Sequence, residues 1–465
     1  MTRPIRVLYA FGGHRWQHHH MLHQIRSVVD KLFLVIEDAH LDSTTVDPEW
    51  PTLMITSDWC QRDALTVRQH AERSAPDGSW STLAFDDFSA PLAAHVSSMG
   101  GMPTYSVHAA FATLYKHQLR LIWNHLARRD PARRMQIVRF SCLKFRTFGD
   151  ASSFRVIAGT DPALLRFPVI VKPDCLDGSS AVMRATTGTE LNGALSYALT
   201  KMRSIRPIAR ALGFRVPPHL ILEEELLPSP ALCGHGEYSA QLLSCEGRHR
   251  VLGITDKFRS GAHFGELGHV FPSVTFPPAL LSTVENTLCM VLDILEVLNA
   301  ITTWDIIVTA DGAIGLVEGQ LRPSGNHVME LYDRVSPINP FHTLLGVPRQ
   351  RNPNNVLGIV LFPLPVTPVF RVERIDVPTD ARVHLSVDSR VYHARFWKGP
   401  IAGPQGYVRA LCVADSFSKA MHILATWVNG VLIHGRDASG SAVATEMRLP
   451  ELVLGGSVPV SEKPT

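Results

Sequence analysis

Two neighbouring apolar segments, 300–309 and 313–318, flank the turn residues Ala310-Asp311-Gly312, and this pairing constrains the chain more than any other stretch. An Asp-Gly turn between two such runs marks a hairpin. Side chains alternate along a strand, so Glu318 and Gln320 share one face of the second segment while Asp305 lies on its partner. All three can point at one spot. The run continues through Leu321 and Arg322 to Pro-Ser-Gly325-Asn326-His327, which sets a guanidinium just beyond three oxygen donors.

Magnesium is a hard ion that takes carboxylate and phosphate oxygens near octahedral geometry, and two acids plus an amide oxygen meet that need with positions to spare. A guanidinium fork beside such donors suits a phosphoryl group or a developing oxyanion. For the carboxylates alone, an exposed hairpin face with ordinary acids is the competing reading; Arg322 and the residues after it weigh against that. Lys172 ends the apolar run that begins at Phe167, where a lysine is costly unless an anion meets it. A triphosphate is such an anion. Gly178, Ser179 and Ser180 follow, a turn whose N–H groups and hydroxyls can nest phosphates, although short Gly-Ser turns also join strands with no such role. The strand at Leu220–Leu222 ends in Glu223, Glu224 and Glu225, which either solvate a strand end or supply a used carboxylate, and Glu237 opens the next strand where it can accept ribose hydroxyls.

At 465 residues the chain exceeds one ordinary core, so two to four domains of roughly 100–200 residues are expected. With 45% hydrophobic and 19% charged residues, and 45 basic against 42 acidic side chains, disorder, a nucleic-acid footprint and a polybasic anchor are all disfavoured. Seven scattered cysteines without a CxxC pair cannot all pair within the chain, which fits a reducing cytoplasm. No run reaches the roughly 18 apolar residues of a spanning helix, so a soluble, unprocessed protein with small-molecule partners is expected.

Residues 1–110 alternate strand and helix patterns, Arg6–Phe11, a helix over 17–29, Leu32–Ile36, then further strands to Phe85, as a small doubly wound domain does. A basic helix over 109–127 and the loop Arg128–Arg134 make a connection over 111–136. Residues 137–227 read as a compact α+β lid with a helix over 190–202. Residues 228–354 read as an antiparallel sheet backed by a helix over 278–298, and 355–465 as an accessory portion with a helix over 416–429.

In this order the pieces resemble the ATP-grasp superfamily of carboxylate-amine ligases over most of the chain. The resemblance implies an α/β ATP-grasp fold: an N-terminal doubly wound domain, an α+β lid, a central antiparallel-sheet domain and a C-terminal accessory α+β portion. It implies that Lys116 and Lys172 are the two ATP lysines, with 177–180 the flexible phosphate loop. Glu224, Glu225 and Leu227 resemble the adenine-site strand and hinge, with Glu223 as an alternative start of that motif, and Glu237 resembles the ribose-binding acid. Asp305, Glu318 and Gln320 resemble ligands of two magnesium ions, which manganese can replace, and Arg322 the arginine that stabilises phosphate and intermediate. Lys257, followed by Phe264-Gly-Glu266-Leu-Gly-His269, resembles the L-amino-acid ligase (dipeptide synthetase) branch, in which Glu266 and His269 line an amino-acid pocket. Two departures from that branch stand out: Gln320 replaces an asparagine, and Asn326 replaces a glycine or aspartate.

The implied activity joins an amino-acid-type carboxylate to an amine through an acyl phosphate, releasing ADP and phosphate, in specialised peptide or antibiotic biosynthesis. The resemblance carries with it amino-acid or peptide substrates and allows a homodimer, while composition and hydropathy point to no nucleic acid and no membrane as partners. The alternatives are a purine-pathway-like carboxylase and an ATP-binding module without catalysis. His18, His19 and His20 are adjacent and cannot all face one ion, so a metal reading of these and His14 is disfavoured; a cleft border formed by Gly12, Gly13 and a nearby histidine is the better alternative, though not a preferred reading. Arg128–Arg134 reads as a solvated loop. Cys175 lies near Lys172 with no histidine close in sequence to activate it, and reads as packing.

Overall fold

The structure is a computed structural model that describes residues 4–12, 19–37, 52–55, 61–132, 134–175, 181–211, 216–229, 236–259, 264–347, 356–365, 371–387, 408–437 and 439–449. Val7–Phe11 (β1) is buried at every position, the mark of a strand covered on both faces. His19–Arg26 (α1) follows it. Lys31–Glu37 (β2) pairs with β1 in parallel and with Thr52–Ile55 (β3) beyond; after Gln61–Ser74 (α2), Trp80–Ala84 (β4) takes the other side of β1. In a parallel sheet the cleft opens at the carboxyl ends of the strands. Those ends carry Gly12, after β1, and Asp86 and Asp87, after β4. Gly12 has φ +70°, and a Cβ there would stand 1.9 Å from Asp86 Oδ2, so the close approach admits glycine alone.

Ala90–Ser98 (α3), Val107–Leu114 (α4) and Lys116–Arg129 (α5) lead into the lid. The single helix expected over 109–127 is broken at Tyr115, which is extended at φ −95° and ψ 104°. The break is stabilised from outside the helix. Lys116 N–H donates to the Asp174 carbonyl at 2.8 Å and His117 N–H to the Asp174 carboxylate at 2.9 Å, so the lid satisfies two orphan donors of the first turn of α5.

The lid sheet contains Phe140–Phe145 (β5), Phe154–Gly159 (β6), Val169–Pro173 (β7), Met183–Ala185 (β8) and, after the long helix Gly188–Ala211 (α6), His219–Glu224 (β9). Its order is β6-β5-β9-β7-β8. Alternation divides the residues between two faces. Leu143, Val171, Leu220 and Leu222 pack with Leu195 and Leu199 of α6, which leaves Cys142, Lys172, His219, Ile221 and Glu223 on the opposite face.

Glu237–Cys245 (β10), Arg248–Arg259 (β11), Glu266–Phe271 (β12), Ala300–Val308 (β13) and Ile314–Gln320 (β14) form the central sheet, backed by Leu281–Ile294 (α7). That helix stops short of Leu298 because Glu296 turns the chain at φ +52°. Val328–Val335 (α8) and Pro340–Leu344 (α9) precede Leu357–Leu361 (β15). Leu364–Pro365 (β16), Arg371–Asp376 (β17), Val383–Val387 (β18), Val408–Ala414 (β19), Phe417–Val428 (α10), Leu432–Arg436 (β20) and Ala442–Arg448 (β21) complete the chain. Across the expected boundary at 354/355, β15, β19 and β18 extend the central sheet, whose order is β14-β13-β10-β11-β12-β15-β19-β18, while β16, β21, β20 and β17 form a four-stranded sheet of their own. Among the described residues no helix is long and apolar enough to cross a membrane.

Candidate active site

The hairpin places Asp305 of β13 directly opposite Glu318 of β14, and Thr303 opposite Gln320. Lys257, from β11, reaches between them: its ammonium pairs with Asp305, and lies 3.2 Å from Glu237 and 3.8 Å from Glu266. Burial pulls the Lys257 pKa down, but the charges of Asp305, Glu237 and Glu266 overcome it and hold the pKa well above its ordinary value. The two facing acids move apart. Burial raises the Asp305 pKa, supported by the charges of Glu318 and Glu237 against that of Lys257. Glu318 is lowered despite its burial, by Lys116, Lys257, Lys172 and Arg322. A crowded acid pair that already needs an ammonium to coexist is a donor set that fits a hard divalent cation.

Lys116 stands at the first turn of α5 with its Nζ 3.7 Å from Glu318 Oε2. Lys172, on β7, donates to Glu223 Oε2 at 2.6 Å and to the Val317 carbonyl at 3.4 Å. Glu223 also takes Arg120 Nε at 2.8 Å, and Arg120 Nη1 reaches the Leu316 carbonyl at 2.6 Å. Two cations therefore share one buried carboxylate. Burial lowers the Lys172 pKa against the pull of Glu223, with Arg120 adding to the lowering, so an incoming anion would stabilise the charged lysine.

A cleft opens between lid and central sheet, with Ile170, Val182, Leu226, Ile307 and Leu316 as its apolar wall and Lys116, Lys172, Glu237, Lys257 and Glu318 among its polar groups. The expected residues meet it unequally. Glu224 and Glu225 line it, but Glu224 accepts from the Arg166 N–H at 2.9 Å and Glu225 pairs with Arg184 at 2.7 Å. Leu227 is 60% exposed and outside the lining, and Leu226 takes the place expected for it. Glu237 pairs with Arg259 at 2.9 Å as well as with Lys257. Residues 177–180, with Gly178, Ser179 and Ser180, lie outside the described residues, as do His14 and His18.

Arg322 follows β14, and its fork grips Asp87 from the N-terminal domain: Nε to Oδ1 at 2.9 Å and Nη2 to Oδ2 at 3.1 Å. Gln320 donates to the same Asp87 oxygen at 3.2 Å. On the other side of Lys257, Glu266 accepts from His269 Nε2 at 3.0 Å and from Asn326 Nδ2 at 2.5 Å, and Arg409 of β19 donates to Asn326 Oδ1 at 2.6 Å. His269 Nδ1 meets the Thr255 hydroxyl at 3.1 Å. Burial pushes the Glu266 carboxyl up, but His269, Lys257 and Asn326 bring it down to about 2.

Sequence reasoning missed Arg120, Asp87, Arg259 and Arg409. Arg120 had a signal, since it lies one helical turn after Lys116 on the same face. Asp87 had one too, because it follows a parallel strand at the end where ligands bind. Arg409 had none: its partner is 83 residues away.

The chain has the ATP-grasp fold, as its likeness to solved structures shows. The solved structures it is similar to include the L-amino acid ligase from Bacillus licheniformis, at TM-score 0.66 and 14% identity over 94% of this chain and 100% of that one. The biotin carboxylase domain of the Hydrogenobacter thermophilus 2-oxoglutarate carboxylase, solved with MgADP and bicarbonate, matches at TM-score 0.63 and 12% identity over 98% and 95%. The carboxyaminoimidazole ribonucleotide synthase from Aspergillus clavatus, complexed with ATP, matches at TM-score 0.60 and 11% identity over 90% and 97%. No family model and no curated protein matches the sequence.

Proposed function

We propose that the protein is an ATP-dependent carboxylate-amine ligase that forms an amide bond between an amino-acid-type carboxylate and an amine. The observation that carries this reading is the juxtaposition, across Lys257, of an acid row facing two lysines with a second carboxylate, Glu266, held charged by His269 and Asn326. One side suits a nucleotide triphosphate. The other suits a polar substrate with an ammonium or amide to hold.

Asp305, Glu318 and Gln320 would hold magnesium, which when bound screens the terminal phosphates and polarises the transferring group. The substrate carboxylate oxygen attacks the γ-phosphorus, its bond to the β-bridging oxygen breaks, and ADP leaves. Lys116 and Lys172 balance charge on the phosphates. The amine nitrogen then attacks the acyl carbon, phosphate leaves with the carbon–oxygen bonding pair, and the proton lost from the amine nitrogen passes to the departing phosphate. Glu266, ionised throughout the working range, positions the amine, and His269 orients Glu266. Arg322 is poised two residues beyond Gln320 and swings between Asp87 and the developing oxyanion. Closure of the lid protects the acyl phosphate from water.

Release of ADP over a panel of amino-acid pairs, with mass detection of products, tests the reading. Amide product in pairs sharing one component supports it. ADP release stimulated only by bicarbonate would move the protein to the carboxylases, and no ADP release under any condition would leave an ATP-binding module. Arg322→Ala should abolish turnover with the fold intact; normal turnover would remove Arg322 from the site.

A further inference from the structure

We infer a second metal site, behind the two ATP-facing lysines and independent of the proposed ligase activity, in which His117, Cys142, Asp174 and His219 hold one zinc-class ion. The four come from four rigid places: the first turn of α5, the middle of β5, the residue after β7 and the first residue of β9. Strand alternation puts Cys142 and His219 on the lid face turned away from α6, and α5 covers that face. None of them contributes to the nucleotide cleft described above.

The geometry suits one small ion. Donor atoms of His117, Cys142 and Asp174 lie within 4.8 Å of one another, with His117 Nδ1 2.6 Å and His219 Nδ1 3.8 Å from Asp174 Oδ2. An ion with bonds of about 2.0–2.3 Å sets tetrahedral donors about 3.3–3.6 Å apart, so shifts on the order of one ångström gather the three clustered donors, and His219, which lies outside that cluster but beside Asp174, must turn further to complete the shell. His219 is the independent sign. Both of its ring nitrogens are shut off from solvent and neither makes a hydrogen bond of ordinary length; Nδ1 has only the long 3.8 Å ion-pair contact with Asp174, which leaves the buried ring poorly satisfied. A metal would take the lone pair of one nitrogen. Two imidazoles, a carboxylate and a sulfur form a borderline-soft set that favours zinc over the magnesium of the acid row.

Coordination requires a thiolate, so the Cys142 thiol proton leaves for solvent as the metal–sulfur bond forms, and no electron is transferred. The ion would tie α5 to the lid. Lys116 precedes His117 by one residue and Lys172 precedes Asp174 by two, so the same brace would fix the separation of the lysines.

The test uses the full chain, stripped with a chelator and titrated with cobalt(II) in excess magnesium so that all-oxygen sites are already filled. A single equivalent should bind with a near-ultraviolet thiolate-to-cobalt charge-transfer band and the intense visible bands of a four-coordinate ion, and zinc should bleach both. Cys142→Ser should remove the charge-transfer band, and His219→Gln should weaken cobalt binding by roughly tenfold or more. The unfolding midpoint of the parent protein should rise with zinc, while that of Cys142→Ser stays put. Absence of a thiolate band in the parent protein, or its persistence in Cys142→Ser, would overturn the site.

Discussion

Glu223 shows at the residue scale how the site is held before any nucleotide arrives. One carboxylate, almost fully buried, pairs with both Lys172 and Arg120 and leaves a net positive charge for an anion to meet. Removing a partner from such a group leaves an uncompensated buried charge, which costs about 3–5 kcal/mol. Glu223→Gln should therefore lose stability on that scale in denaturant unfolding, and adding Lys172→Met should restore part of it; an unchanged midpoint would show that the cations find other partners. Glu266 carries a pH signature. Its folded pKa of about 2 lies below the ordinary 4.5, so its contribution to stability is complete above 4.5 and is lost as pH falls toward 2. His269→Gln should flatten that acid-range slope, and an unaltered slope would detach the histidine from the carboxylate. The acids and lysines were legible in the sequence because ionisable groups at the ends of apolar strands are costly and so stand out. Their pairing was not: whether a strand-end glutamate meets solvent, as one reading of Glu223 had it, or two cations depends on which helix lies over it.

The hairpin is the element that carries Asp305 and Glu318, the acids proposed to hold the metal. Gly319 sits between Glu318 and Gln320, and a Cβ there would fall 2.2 Å from the ring of Trp304, a fully buried side chain of the facing strand. Gly319→Ala should cost about 1–3 kcal/mol through overpacking and should weaken nucleotide binding as the strand tilts the acids away. Full stability and full binding together would mean that the ring moves aside at no cost. This element was readable because an Asp-Gly turn and period-two alternation are local signals. The break at Tyr115 was not, since the donors that stabilise it find Asp174 some 57 residues on. Nor was the long reach of α6, which its packing against the lid sheet supports.

At the scale of the molecule, the unexpected result is that three strands from the last quarter of the chain, β15, β19 and β18, complete the central sheet. Arg409 of β19 reaches through Asn326 to Glu266, so the side of the cleft proposed to take the substrate depends on residues remote in sequence. Arg409→Met should raise KM for the acid or amine substrate roughly tenfold, the loss of one hydrogen bond to a charged group, while KM for ATP holds. Equal changes in both would mark general damage instead. Pairings between β12, β15 and β19 span long loops, and strand register across such distances leaves no trace in a single sequence.

Calorimetric titration of the parent protein and of Glu318→Ala with ADP, with and without magnesium, bears most directly on the acid row. The parent protein should bind much more tightly when magnesium is present, and Glu318→Ala should lose at least about tenfold of that gain. Identical affinities in all four titrations would contradict the assignment of Asp305 and Glu318 to a nucleotide-bound cation.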